Sequence, residues 1–167
     1  RIAAMLEEDG QSLDVAAVSF TGSVETGKHI AQKCAARLAK FQLEMGSKNP
    51  LVVLDDADLG IAVNCAINGA FFQTGQRCTA SSRLIVTEQI HDRFVAAVVE
   101  GMKQLKVDHA LKPGTQVGPV VDQKQLDQDL RYLEIGQQEG GRLAFGGEQL
   151  TRETEGYYLQ PALITET

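Results

Sequence analysis

Short apolar runs that alternate with helical repeats constrain the fold of this chain more than any other feature. Runs of strand length recur at "VAAVSF" (15–20), "FQLEM" (41–45), "LVVL" (51–54), "RLIVTE" (83–88) and "RLAF" (142–145). Between most of them, apolar residues return every three or four positions, as they do in an amphipathic helix. This alternation predicts an α/β fold, in which a mostly parallel sheet is flanked by helices.

Capping residues place the predicted helices. Ser23 is expected to cap a helix that carries Ile30, Cys34 and Leu38 on one apolar face. Asp58 is expected to cap a second helix, and the thin polar face of that helix predicts that it is buried. Two more helices are predicted over about 90–106 and 122–139.

Composition and charge exclude several classes of function. The chain has 167 residues, of which 43% are hydrophobic and 23% charged, as in a globular protein. Its net charge is -6 without a basic stripe, so we expect no nucleic-acid partner and no membrane partner. The three cysteines are widely spaced and the three histidines lack ligand spacing. We therefore expect reduced thiols, a cytoplasmic location and no metal site.

The stretch "SFTGSVETG" (19–27) predicts an anion site, because an apolar strand runs there into a glycine turn and a helix N-terminus. One interpretation is a P-loop, since residues 22–28, from Gly22 to Lys28, fit the pattern G-x-x-x-x-G-K. The residue after the lysine is His29, however, where a P-loop has a serine or threonine hydroxyl that binds Mg²⁺. A P-loop-like nucleotide hydrolase therefore remains only an alternative.

Three stretches taken together resemble the aldehyde dehydrogenase superfamily. They are "SFTGSVETG" (19–27), "LEMGSKNP" (43–50) and "GQRC" (75–78), and the likeness continues through "GPVVD" (118–122) and "GYYLQPALI" (156–164). Within the superfamily, the chain looks most like α-ketoglutaric semialdehyde dehydrogenases. Members of the superfamily are much longer, and this chain begins at Arg1 inside a predicted helix. The resemblance thus implies an internal piece, inactive by itself, of an NAD(P)+-dependent oxidoreductase.

The resemblance also implies the domain organisation. Residues 1–45 correspond to the C-terminal end of an NAD(P)-binding domain. Residues 46–167 correspond to the first part of a catalytic domain. The cofactor is expected to be NAD or NADP, the substrate a small-molecule aldehyde, and the assembly a homo-oligomer.

Cys78 matches the nucleophile of the superfamily. The resemblance implies that its thiolate adds to the aldehyde carbonyl, that hydride passes to a nicotinamide ring, and that water cleaves the resulting thioester. Arg77 offers an adjacent positive charge. Glu44 matches the general base, and it lies between Leu43 and Met45, where burial is expected to raise its pKa. Such a base favours hydrolysis over acyl transfer to coenzyme A or phosphate.

The remaining matched residues belong to the cofactor and substrate sites. Those expected to meet the dinucleotide are Thr21, Gly22, Ser23, Met45 and Gly46. Phe72 matches a position on the wall of the substrate tunnel, although a core aromatic is an equal alternative. The sequence departs from the usual pattern at Ser47, where a second glycine is more common.

The other two cysteines are expected to be structural. Cys34 and Cys65 fall within predicted helices, where we expect them to pack rather than react.

A further alternative is open. A chain that is a piece of a larger fold would expose strand edges and apolar faces. It could then be a non-catalytic piece that buries its surface against a copy of itself, with Ile30, Cys34 and Leu38 at the contact.

Overall fold

The computed structural model describes residues 15–167, and the chain divides into two compact units, residues 1–47 and 48–167. The predicted domain boundary after residue 45 lies two residues before this division. That the first unit belongs to a cofactor-binding domain remains a prediction.

The described part of the first unit is a strand–helix–strand unit. Strand β1 (Ala17–Gly22) leads into helix α1 (Val24–Ala36), which is followed by strand β2 (Lys40–Met45). The two strands pair in parallel, because the helix carries the chain back to the starting edge. Ser23 caps α1 as predicted, and its Oγ accepts a hydrogen bond of 3.2 Å from the amide of Thr26.

One prediction about α1 and one about β1 are wrong. Leu38 does not continue the apolar face of α1, since the helix ends at Ala36 and Leu38 is 94% exposed. The face consists of Ile30 and Cys34, which are both buried. The strand expected to be buried, β1, has no fully buried residue, because α1 covers only one face of a two-stranded sheet.

The second unit contains three longer helices and six strands in its described residues. In chain order these are β3 (Asn49–Val53), α2 (Leu59–Phe71), a 3₁₀ turn (Phe72–Gly75), β4 (Ser81–Val86), α3 (Glu88–Lys103), α4 (Gln123–Gln138), β5 (Arg142–Phe145), β6 (Gln149–Leu150), β7 (Tyr158–Leu159) and β8 (Leu163–Thr165). Strands β3 and β4 pair in parallel, whereas β5 pairs with β8, and β6 with β7, in antiparallel fashion. The fold is therefore α/β, with parallel pairing in the longer strand pairs and antiparallel pairing in the short ones.

The main core of the second unit lies between the β3–β4 sheet and helices α2 and α3. Its buried members are Val53, Ala66, Ile90, Phe94, Val98 and Met102. Helix α3 lies where a helix was predicted over about 90–106, and four of these core residues, Ile90, Phe94, Val98 and Met102, repeat every four positions along it. The expected burial of α2 is wrong in extent: only Ala66 and Ile67 are buried, and Ile61 is 66% exposed.

Candidate active site

The first unit brings predicted cofactor and catalytic residues to one edge of its sheet. In the parallel register Thr21 lies opposite Glu44, and Gly22 lies opposite Met45. Ser23 follows at once as the N-cap of α1. Ligands of open α/β sheets bind at the carboxyl ends of the strands, where helix N-termini also point. The residues at this edge are therefore arranged as in a ligand-binding site of an α/β sheet.

The two faces of β2 explain the position of Glu44. A Cβ atom on Gly27 would lie 2.6 Å from Sδ of Met45 and 3.7 Å from Cδ1 of Leu43, so α1 packs closely against that face. Side chains alternate along a strand, which sends Glu44 to the opposite face. It is exposed there, and its Oε1 accepts a hydrogen bond of 3.2 Å from Nε2 of Gln42. The expected burial of Glu44 is therefore wrong.

The P-loop interpretation finds no support in the backbone of residues 22–28. A P-loop wraps its free amides around phosphates. Here the chain is already helical from Val24, and the amide of Thr26 is bound by the side chain of Ser23. The amide of Gly27 donates to the carbonyl oxygen of Ser23 at 2.9 Å. The glycine and lysine of the pattern lie within α1 instead of in a phosphate-binding loop.

A tight reversal after α2 leads into the loop that carries Cys78. Gln73 and Thr74 adopt φ values of 56° and 55°, a left-handed conformation that is unfavourable for both residue types. Gly75 follows at φ 66°, and a Cβ atom there would lie 2.8 Å from the carbonyl oxygen of Ala70. Glycine is therefore required at this position. The reversal determines the direction in which the chain leaves α2 and enters the loop that contains Cys78.

Side chains next to Cys78 fasten the loop to two other segments. Nη2 of Arg77 donates to the carbonyl oxygens of Asn68 (2.7 Å) and Gly69 (3.0 Å) in α2. Oε1 of Gln76 accepts a hydrogen bond of 3.2 Å from the amide of Val121, in the segment that precedes α4. Arg77 thus anchors the loop, whereas the sequence had suggested it as a charge beside the thiol.

A third fastening comes from Asn49, which the sequence analysis missed. Its Nδ2 donates to the carbonyl oxygens of Cys78 at 2.7 Å and Ala80 at 3.1 Å. From the sequence, "LEMGSKNP" (43–50) contributed only to the family resemblance, yet Asn49 and Pro50 are the first residues of β3. An asparagine directly before a proline, at the start of an apolar strand, was the available signal.

The three cysteines differ sharply in exposure. Cys34 is 2% exposed, as a packing residue should be. Cys65 and Cys78 are both exposed, so the expected packing role of Cys65 is wrong: it lies on the solvent side of α2. The structure alone thus leaves two accessible thiols, of which only Cys78 lies in a fastened loop.

Phe72 follows α2 at the start of the 3₁₀ turn and is half-buried. Its neighbour Phe71 packs against the main core and against a second buried cluster, which consists of Val107, Val117 and Tyr158. A cavity of about 680 Å³ flanks the reversal and is lined by Phe71, Thr74 and Gln76 among others. The tunnel-wall role of Phe72 remains a prediction.

Neither a metal cluster nor a membrane span is found among residues 15–167. No three side chains of histidine, cysteine, aspartate or glutamate are grouped there so that they could hold an ion. None of the helices formed by these residues has the length and apolar character needed to cross a bilayer.

Comparison with known proteins decides the family. The model of the aldehyde dehydrogenase family matches residues 6–167, nearly the whole chain. The chain belongs to the aldehyde dehydrogenase family. The resemblance found in the sequence motifs is thereby confirmed.

Two curated relatives show which members of the family this chain is similar to. It is 47% identical over 162 residues to an α-ketoglutaric semialdehyde dehydrogenase of Bacillus subtilis. It is 42% identical over 154 residues to a betaine aldehyde dehydrogenase of Sinorhizobium fredii. These matches cover 96% and 92% of the chain but 32% of each relative, so the chain spans about a third of their length.

Solved structures confirm the fold of this chain. A betaine aldehyde dehydrogenase from Staphylococcus aureus, in complex with NAD+, superposes with a TM-score of 0.88 at 37% identity. The match covers 92% of this chain and 31% of that protein. An aldehyde dehydrogenase from Bacillus cereus superposes with a TM-score of 0.87 at 36% identity.

Proposed function

We propose that this chain is the part of an NAD(P)+-dependent aldehyde dehydrogenase that carries the nucleophile and the general base. The observation that carries the proposal is the exposed thiol of Cys78 on a loop fastened by Asn49, Gln76 and Arg77. A nucleophile gains from a backbone that is held in place before the substrate arrives. Membership of the family supports the same assignment.

Cys78 supplies the covalent chemistry in this proposal. Its thiolate forms a carbon–sulfur bond to the aldehyde carbonyl, whose oxygen takes the negative charge. When that charge collapses back to a carbonyl, the carbon loses hydride and an acyl thioester remains on Cys78. Water then attacks the thioester, the carbon–sulfur bond breaks, and the carboxylic acid leaves while the thiol is restored.

NAD(P)+ supplies the hydride acceptor when it is bound, and the first unit contains residues that fit it. Thr21 and Gly22 form the carboxyl end of β1, Ser23 is the N-cap of α1, and all three residues are exposed. We propose that their backbone holds the pyrophosphate. We assign Met45 and Gly46, at the end of β2, to the nicotinamide carboxamide. The NAD+ complex of the Staphylococcus aureus relative supports a dinucleotide cofactor for this fold.

Glu44 acts in the proposal as the base for deacylation. Its carboxylate is exposed at the same sheet edge as Thr21, and an accessible carboxylate can take a proton from the attacking water. A base at this position supports hydrolysis of the thioester. The product is then a free carboxylic acid.

The proposed substrate class is a semialdehyde such as α-ketoglutaric semialdehyde. The 47% identity to the Bacillus subtilis enzyme of that name supports it, against 42% for the betaine aldehyde dehydrogenase. Phe72 is our proposed wall residue for the substrate. We further propose a cytoplasmic homo-oligomer, since all three cysteines are free thiols and the β3–β4 sheet exposes Val52 and Ile85 on one face.

The test is a pre-steady-state trace of NAD(P)H formation by the full-length enzyme with α-ketoglutaric semialdehyde. Glu44→Gln should leave the first burst intact and slow the following steady state by about 10²- to 10⁴-fold, because only deacylation needs the base. Cys78→Ser should remove both phases. Glu134→Gln, an exposed glutamate of α4, is the matched control and should behave as wild type.

Loss of the burst in Glu44→Gln would show that Glu44 does not act as the deacylation base. A wild-type burst that persists in Cys78→Ser would overturn the nucleophile assignment.

A further inference from the structure

The start of β3 lacks a backbone donor where the Cys78 loop meets it. Pro50 follows Asn49 and has no N–H group. The pairing also shifts there: Asn49 lies opposite Ser81, but Pro50 lies opposite Arg83. One residue of β4 is therefore passed over, and the regular ladder begins only beyond this point. Carbonyl groups of the incoming loop must find their donors elsewhere.

The side-chain amide of Asn49 supplies those donors. A primary amide nitrogen carries two hydrogens, and Nδ2 of Asn49 directs them to two different carbonyl oxygens, those of Cys78 and Ala80. The two bonds span the backbone on the C-terminal side of the nucleophile. They join residues 29 and 31 positions apart in the chain.

We propose that Asn49 is a positioning residue that fixes the backbone of Cys78 by donating both hydrogens of its amide to the loop. The inference rests on the proposed role of Cys78 as the nucleophile. It makes the number of donors at position 49 the decisive quantity. A role in packing alone would make side-chain volume decisive instead.

Three substitutions separate these two quantities. Asn49→Asp keeps the volume but places acceptors against two carbonyl oxygens. Asn49→Ser keeps one hydroxyl donor, and Asn49→Ala keeps none at almost the same size as serine. If the donors matter, the loop should be held most firmly in wild type and less firmly in Ser, Ala and Asp, in that order. A packing role orders them as wild type, Asp, Ser and Ala.

The experiment measures amide hydrogen exchange at Ala80 in the 167-residue chain by NMR. The amide of Ala80 donates to the carbonyl oxygen of Arg77 at 3.1 Å, inside the fastened loop, so its exchange reports local opening. Losing both hydrogen bonds in Asn49→Ala should raise its exchange rate about ten- to a hundredfold. Asn49→Asp should exceed that value and Asn49→Ser should lie below it. Amides of α3 serve as the reference for global unfolding.

A matched control is Asn64→Ala, which removes an exposed amide pair with Asn68 on α2. It should leave exchange at Ala80 unchanged. If Asn49→Asp fails to fold, the comparison of Ser with Ala decides alone, because the two differ by one donor. Equal exchange in Ser and Ala, or an Asp variant that behaves as wild type, would overturn the inference.

Carbamidomethylation in the same samples keeps the inference distinct from the proposed function. The measured quantity is the alkylation rate of Cys78 divided by that of Cys65, the other exposed thiol. This ratio should exceed one in wild type and decrease in the order wild type, Ser, Ala and Asp. If that ratio does not exceed one while exchange at Ala80 follows the donor order, the nucleophile assignment fails and the positioning by Asn49 stands. A ratio that exceeds one and is the same in wild type and in all Asn49 variants contradicts the positioning role.

Discussion

Leu38 closes helix α1 in a backbone conformation that leucine adopts only at a cost. Its φ is 57°, in the left-handed region. The amide of Ala39 donates to the carbonyl oxygen of Cys34 at 3.0 Å, and that of Leu38 donates to Ala35 at 3.2 Å. These two bonds form a Schellman motif, in which glycine is the usual residue at the position of Leu38. The side chain is 94% exposed and contributes little packing in return.

Leu38→Gly should therefore stabilise the chain. Removing the left-handed strain gains about 1–2 kcal/mol. The greater freedom of glycine in the unfolded chain takes back about 0.5–1 kcal/mol, which leaves a net gain of about 0.5–1 kcal/mol. Urea unfolding followed by circular dichroism measures this free energy. Leu38→Ala keeps the strain and should show no gain; if it matches the glycine variant, the strain argument is wrong.

At the scale of the elements, one glycine sets how closely β5 and the segment before β8 approach each other. Gly146 follows β5 directly and has φ 75°. A Cβ atom there would lie 1.8 Å from the carbonyl oxygen of Pro161, which leaves no room for any other residue. Because the obstacle is backbone, it cannot move aside as a flexible side chain could.

Gly146→Ala should destabilise the second unit by about 3 kcal/mol or more, since strain from overpacking adds to the left-handed penalty. Gly114→Ala is the matched control. That glycine has φ 80° with nothing within 4 Å of the added Cβ, so only the left-handed penalty of about 1–2 kcal/mol applies. Thermal and urea unfolding compare the two variants. Equal losses would show that the close approach at Pro161 has no energetic consequence.

At the scale of the whole molecule, only Leu38 of the three residues expected at a contact between copies is exposed. Ile30 and Cys34, expected at a contact between copies, are buried inside the first unit. The second unit instead exposes Val52 (58%) and Ile85 (55%), which are register partners on one face of the parallel β3–β4 pair. Parallel sheets are normally covered on both faces. This face is therefore the better candidate for self-association.

We predict that the 167-residue chain self-associates through the β3–β4 face. Val52→Lys or Ile85→Lys should shift sedimentation equilibrium towards the monomer, because a charged group resists burial in an apolar contact. Leu111→Lys, at a turn residue outside β3 and β4 that is 86% exposed, should leave the association unchanged. A wild-type chain that stays monomeric at high concentration would refute the prediction.

Sequence alone determined the features that depend on local spacing and local hydrogen bonding. The helix caps at Ser23 and Asp58 form as predicted, because each side chain bonds an amide three residues ahead. The apolar stripe of α3 is buried, because four-residue spacing places its members on one side of any helix. The motifs around Cys78 and Glu44 were enough to indicate the family.

Only the tertiary structure decided which faces are covered and which distant groups meet. Glu44 is exposed because α1 packs on the Leu43 and Met45 side of β2, and alternation along the strand does not say which face a helix will cover. Cys65 is exposed because the strands and helices around α2 leave that side open. The bond from Asn49 to the Cys78 loop spans 29 residues. Contacts of that length arise from the packing of β3 beside β4, and no periodicity within either segment encodes them.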